Sequence, residues 1–214
     1  MRPYYSACRS LARIVLGALT GMTIRGLELL PREGGLVIAA NHISFWDPPL
    51  LGAAIVREMH FLAKEELFST PALGPLIRSV NAIPIRRGAA DLKGLTRAID
   101  ALKQGGAVLL FPEGSRMRDG ELHPARPGVG LMAVNADVPI APCYISGSNP
   151  NPGWIVRKER VRIDFGPPRD WRDYAGRDTD LTPGRALYQR IGVAVMDDIA
   201  RLRSEQQSVS RGAA

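Results

Sequence analysis

Two short stretches hold side chains whose types and spacing can do chemistry. The first is Asn41-His42-Ile43-Ser44-Phe45-Trp46-Asp47-Pro48; the second, some seventy residues on, is Phe111-Pro112-Glu113-Gly114-Ser115-Arg116. A carboxylate on one imidazole nitrogen fixes the tautomer and raises the basicity of the other nitrogen. Held in this way, His42 can take the proton of an attacking hydroxyl, a contribution of about 10²–10⁴ in rate. The spacing restricts how the two can meet. Five residues along a regular helix turn two side chains about 140° apart, so His42 and Asp47 converge only if the chain folds back between them. Asp47-Pro48-Pro49 offers that fold, with Asp47 as a helix cap and Pro48 in the first turn. Taken alone, the pair also fits a packed core histidine beside a helix cap.

In the second stretch Gly114 permits a tight turn, and Arg116 carries a planar fork that grips phosphate through paired hydrogen bonds. Glu113 can orient that arginine or receive an acceptor hydroxyl. An ordinary turn with a surface ion pair would use the same residues.

Both stretches follow apolar runs that read as buried strands, 36–40 and 107–111. Further strands are expected at 22–29, 59–63, 82–86, 138–145 and 160–165, alternating with helices at 48–57, 71–79, 90–104 and 127–135. The alternation predicts a single α/β domain over 28–206, a largely parallel or mixed sheet flanked by helices. Sites in such sheets lie beyond the carboxyl ends of the strands, which is where both stretches fall. A last helix over 183–206 carries Leu187, Ile191, Val195, Ile199 and Leu202 on one stripe, followed by a disordered tail, 207–214.

The 214 residues suffice for one domain with a substantial core. A formal charge of +7 implies anionic company, whether nucleic acid, anionic lipid or phosphorylated substrate. No nucleic-acid-binding motif accompanies the charge, so nucleic acid is set aside. The two cysteines, Cys8 and Cys143, fit neither a disulfide framework nor a zinc site, and a reducing compartment suits them. Residues 1–27 include Arg2, Arg9, Arg13 and Arg25 and no acidic residue. Their uncharged stretch, 14–24, is too short to span a bilayer. The segment is expected to lie as a helix at a membrane interface. Tyr4, Tyr5 and the arginines would sit at headgroup level, and Leu11, Ile14, Val15, Leu16 and Leu19 in the apolar layer. A surface helix packed on its own domain is the plainer alternative.

Four ordered blocks carry a resemblance to a known family. Asn41, His42 and Asp47 match the first motif of the glycerolipid acyltransferases, Asn-His, four residues, Asp. Phe111 to Arg116 match the third, Phe-Pro-Glu-Gly-Thr/Ser-Arg. Ile83-Pro84-Ile85-Arg86-Arg87-Gly88 resembles the second, with Ile83 where the family usually has Phe. Val138-Pro139-Ile140-Ala141-Pro142-Cys143 resembles the apolar fourth, and Arg126-Pro127-Gly128 sits where a basic residue, x, Gly often stands. Within the family the chain looks most like the 1-acylglycerol-3-phosphate (lysophosphatidate) acyltransferases.

The resemblance implies acyl transfer from a thioester of coenzyme A or acyl carrier protein to the free hydroxyl of lysophosphatidate, giving phosphatidate. His42 would be the base and Asp47 its orienting partner. Arg86, Arg87 and the turn Glu113, Gly114, Ser115 and Arg116 would hold the acceptor phosphate, and Arg126 would contact donor or phosphate. Val138, Pro139, Ile140 and Pro142 would wall an acyl pocket, to which Trp46 can add unless it packs in the core. No metal or cofactor is expected beyond the thioester co-substrate. Such an enzyme would sit peripherally on the cytoplasmic face of the cell membrane, against an anionic lipid surface. The alternatives are the same chemistry on glycerol-3-phosphate or another lysolipid, and an anionic-lipid-binding homologue without catalysis. Gly128-Val129-Gly130-Leu131-Met132-Ala133 also fits a dinucleotide pattern, but no strand precedes it and no acidic residue follows at the required distance. Cys143 is expected to pack rather than to be acylated.

Overall fold

Leu36–Ala40 is apolar at every position, so a strand there needs cover on both faces. It forms β2, near the middle of the sheet. The computed structural model describes residues 3–86, 92–148, 160–176 and 180–212. The other strands are β1 (Thr23–Arg25), β3 (Met59–Lys64), β4 (Ala82–Ile85), β5 (Ala107–Leu110), β6 (Ile140–Ser146) and β7 (Arg162–Phe165). Among the described residues they make one sheet in the order β1-β7-β6-β2-β5-β3-β4. Every pairing is parallel except β6 with β7. The expected mixed α/β sheet is therefore present.

The helices are α1 (Pro3–Thr20), α2 (Asp47–Ala54), α3 (Leu73–Ser79), α4 (Leu92–Lys103), α5 (Gly128–Ala136), α6 (Trp171–Ala175) and α7 (Arg185–Gly212). Successive strand residues face opposite sides, and two core layers result. Val37, Ala39, Val108, Leu110, Ile140 and Tyr144 pack under α4, α5, α6 and α7. Leu36, Ile38, Ala40, Leu109, Cys143 and Ile145 pack under α1 and α2.

Several boundaries differ from expectation for local reasons. β1 is shorter than 22–29, because Gly26 takes a left-handed φ of 71° and the chain turns into a short 3-10 segment, Leu27–Leu29. β1 pairs with β7, so the sheet begins inside the segment expected to precede the domain. α2 stops at Ala54, short of residue 57. The Arg57 side chain is buried and donates to the carbonyls of Pro31, Gly34 and Gly105, tying together the turns that feed β2 and β5. α6 was not expected. α7 continues to Gly212, through much of the stretch read as a disordered tail. Gln206 is buried there, with its side-chain oxygen accepting from Ser146 Oγ and its amide donating to Asp164. Those two bonds hold the helix onto the sheet where sequence alone showed only polar residues.

The N-terminal helix packs on the domain. Tyr5, Leu16 and Thr20 are buried, the Tyr5 hydroxyl accepts from Met59 N at 3.1 Å, and Arg13 donates to Ala54 O at 2.9 Å. Leu16 thus faces the protein, in contrast to its expected place in a lipid layer, because it lies eleven residues from Tyr5, close to three helical turns. Leu11, Ile14, Val15 and Leu19 face outward and are exposed. Among the described residues, no helix is long and apolar enough to cross a membrane.

Candidate active site

β6, β2 and β5 are neighbours and parallel, so the segments leaving their carboxyl ends emerge side by side. From β2 come Asn41 and His42; from β5 come Phe111 to Arg116; from β6 come Gly147 and Ser148. The seventy-residue gap between the two chemical stretches closes because β5 inserts next to β2.

The loop 42–47 folds around its own carboxylate. Asp47 Oδ2 accepts from Ile43 N at 2.8 Å, from Ser44 N at 2.7 Å and contacts His42 Nδ1 at 2.8 Å. This ring of donors explains the five-residue spacing: the backbone between the two residues curls so that both side chains meet. Asp47 is fully buried and His42 nearly so. An acceptor-only carboxylate fixes the proton on Nδ1. Nε2 is then a lone pair, and no hydrogen-bond partner contacts it among the described residues. The Phe111 ring stacks on the imidazole with centroids 4.0 Å apart and planes 16° apart, which fixes its orientation.

Asn41 anchors the loop from the other side. Its side-chain amide donates to Ile145 O at 2.9 Å and accepts from Ile145 N at 2.8 Å, copying a strand partner where β2 has ended. Met117 N donates to His42 O at 2.7 Å, which draws the end of the second motif against the first.

Glu113 is buried and spends its two oxygens on backbone. Oε2 accepts from His42 N at 2.9 Å and Oε1 from His123 N at 3.1 Å. Burial holds its carboxyl above the usual range, and the two backbone N–H donors offset part of that rise. In this arrangement Glu113 braces the main chain of His42, a role distinct from the expected contact with acceptor phosphate. Gly114 has φ 72°, a left-handed turn of the kind that glycine permits. The Arg126 side chain passes beside it, so close that a Cβ on Gly114 would meet Arg126 Cδ at 2.6 Å. The Arg116 guanidinium lies over the Phe45 ring, 3.2 Å from its centroid. Ser115 lies in the same turn. Arg86 sits at the end of β4 and pairs with Glu65 at 2.5 Å, both largely exposed. Arg87 lies outside the described residues.

The expected acyl-pocket residues divide. Trp46 precedes α2 at the site and is 44% exposed. Val138, Pro139 and Ile140 are at the other end of the sheet: Ile140 pairs with Val37, five residues before His42, roughly 16 Å of strand away. Pro142 pairs with Ala39 in the sheet interior. Their apolar run is explained by a strand covered on both faces. Burial pushes the Cys143 thiol well up, as expected for a packed cysteine.

The family profile described as Acyltransferase matches residues 21–146, more than half of the chain, and that stretch spans His42, Asp47, the 111–116 turn and the strands between them. The chain belongs to this acyltransferase family. It is 28% identical over 192 residues to the 1-acyl-sn-glycerol-3-phosphate acyltransferase of Bacillus subtilis, covering 87% of this chain and 94% of that one. It is 30% identical over 205 residues to the enzyme of the same name from Pseudomonas aeruginosa, covering 94% of this chain and 76% of the relative. Its fold matches the crystal structure of the 1-acyl-sn-glycerophosphate (LPA) acyltransferase PlsC from Thermotoga maritima, with a TM-score of 0.71 and 24% identity, over 93% of this chain and 79% of that one.

Two groups of this acyltransferase site escaped the sequence. The backbone-bracing role of Glu113 depends on contacts 71 and 10 residues away. Ser148, fully buried, donates from Oγ to Asp47 Oδ1 at 2.5 Å across 101 residues. Its only sequence signal is its position two residues past the end of an apolar strand.

Proposed function

We propose that this acyltransferase moves a fatty acyl group from a thioester of coenzyme A or acyl carrier protein to the free hydroxyl of lysophosphatidate, giving phosphatidate. The observation that carries the reading is His42 Nδ1, held at 2.8 Å by the Asp47 carboxylate, a contact that keeps the ring proton on Nδ1 and leaves the lone pair on Nε2. Nε2 takes the hydroxyl proton as the oxygen attacks the thioester carbonyl. The tetrahedral intermediate then collapses, breaking the carbon–sulfur bond, and the leaving thiolate receives the proton from the imidazolium. Because a thioester is already activated, an oriented base and good positioning suffice without a covalent enzyme intermediate.

Arg116, held beside His42 through the Met117–His42 backbone bond, is suited to the acceptor phosphate. Arg86 and Arg126 add positive charge from other loops, and Arg87 follows Arg86 in the sequence. The exposed apolar residues of α1, with a formal charge of +7, favour peripheral attachment to an anionic membrane surface on the cytoplasmic face. The named relatives support the choice of lysophosphatidate.

The test is product formation in liposomes from lysophosphatidate and labelled acyl-CoA or acyl carrier protein, with wild type beside His42→Ala. Phosphatidate from wild type alone is expected. Equal turnover by His42→Ala would remove His42 from the role of base. A silent wild type that acylates glycerol-3-phosphate or another lysolipid would replace the acceptor.

A further inference from the structure

Asp47 holds the base only if its carboxylate is held in turn. Three contacts fall on Oδ2: His42 Nδ1, Ile43 N and Ser44 N. All three come from the loop that Asp47 itself closes. Among the described residues, Oδ1 has one hydrogen-bond donor, the Ser148 hydroxyl at 2.5 Å. Both residues are fully buried, so water does not replace that donor.

Ser148 is aimed there by the strand before it. Ser146 closes β6 and donates to Gln206 of α7 at 2.5 Å, while Ile145 is held on both its N–H and its carbonyl by Asn41. Gly147 then takes φ 74°, and a Cβ there would lie 2.3 Å from Arg160 O. Only glycine makes that turn against that backbone, and the turn sends Ser148 inward over the β2 loop.

We propose that Ser148 is a positioning residue for the acyl-transfer base, completing a Ser148–Asp47–His42 chain that joins the end of β6 to the reacting nitrogen. The inference rests on His42 being the base. With Oδ1 bonded, the carboxylate plane is fixed and Oδ2 stays on the Nδ1 proton. Without Ser148, Oδ1 is a buried anionic oxygen with no donor among the described residues. The carboxylate then rotates or turns more of its charge on the imidazole, and Nε2 loses its alignment with the acceptor hydroxyl. Ser148 touches no substrate in this scheme, so its loss acts on turnover and not on substrate binding.

The experiment compares wild type, Ser148→Ala and Ser148→Thr, with His42→Ala as the reference for the inactive base. Two readouts are taken on protein below its Tm: kcat and KM against pH in liposomes, and the low-field proton resonance of the His42 Nδ1–H shared with Asp47, assigned by its absence in His42→Ala. Ser148→Ala is expected to lower kcat about tenfold or more with KM for both substrates within twofold. The shape of its kcat profile against pH should differ from that of wild type, and the resonance should be displaced or lost. Ser148→Thr, which keeps the hydroxyl, should restore both. Should Ser148→Ala fail to fold, Ser148→Cys, of similar volume and a weak donor, takes the same measurements. An unmoved resonance with unchanged kcat overturns the proposal, as does a loss of activity that Thr does not recover and that follows Tm alone. The resonance needs no substrate, so a wild type inactive on lysophosphatidate would sink the acceptor reading while leaving the Ser148 result decisive by itself.

Discussion

Asp47 sits at the centre of the chemistry although it touches no substrate in the proposed reaction. Its carboxylate collects two backbone N–H groups as well as the imidazole, so its charge shapes the loop as much as it orients the base. Asp47→Asn removes the negative charge that stabilises the imidazolium, and with its N–H₂ in the place of Oδ2 it sets a donor against Nδ1 and the two loop N–H groups. The loss of charge holds for either amide orientation, and kcat measured in liposomes should fall by about 10²-fold or more. Glu113 makes a different prediction, about pH. The native carboxyl holds its proton more tightly than the unfolded chain does, because burial raises it. Stability therefore falls as pH rises from the ordinary carboxylate range through the raised native value. Glu113→Gln cannot titrate, so the Tm-against-pH slope over that window should be flatter in the variant, with kcat reduced because one of the two braced N–H groups loses its acceptor. The His42–Asp47 pair was legible in the sequence because residue type, spacing and a Pro-Pro turn all pointed the same way. Glu113 was legible as a residue of interest and not as a brace, since nothing local names the His42 and His123 amides as its partners. Ser148 was invisible, because a serine 101 residues from its carboxylate becomes meaningful only once β6 lies beside β2.

At the scale of elements, apolar runs located the strands well, since a strand covered on both faces is uniformly apolar and little else in a short window is. Helix ends were read less well. α2 ends early because Arg57 is recruited to the carbonyls of Pro31, Glu33, Gly34 and Gly105, and α7 runs on because Gln206 is bonded to two elements of the sheet. The glycine pattern over 128–133 finds its explanation here as well. Gly130 of α5 lies against α7, where an added Cβ would sit 2.4 Å from Tyr188 O and 2.6 Å from Tyr188 Cα. The glycine lets two helices approach, with no nucleotide required. Gly130→Ala should cost about 1–3 kcal/mol by overpacking. Gly128→Ala, whose Cβ would meet Leu110 Cδ2 at 3.7 Å, should be close to neutral when the two variants are compared by urea titration.

At the scale of the molecule, α1 has two jobs on two stripes. Its inner stripe, Tyr5, Leu16 and Thr20, closes the core over α2; its outer stripe, Leu11, Ile14, Val15 and Leu19, remains exposed. Basic composition and an apolar run could say that the segment was amphipathic, but which leucine faced inward depended on where Tyr5 met β3. Leu11→Ser with Ile14→Ser should weaken binding to anionic vesicles by about tenfold or more, with Tm unchanged in a sedimentation and melting comparison. Leu16→Ser should lower Tm instead. Vesicle binding that survives the outer pair of substitutions would rule out this stripe as the attachment.

The strand order has a consequence for how the chain can change over generations. The unit from β3 through α3 to β4 hangs on the outer side of β5, away from β2 and β6. It delivers Arg86, while the base, its carboxylate and Ser148 belong to the three inner strands. An insertion or a reshaped surface in the connection between β3 and β4, residues 65–81, therefore alters the rim without displacing the groups on β2, β5 and β6. Under the proposed reaction, descent can then vary the acceptor by editing that margin, and inherit the chemistry intact.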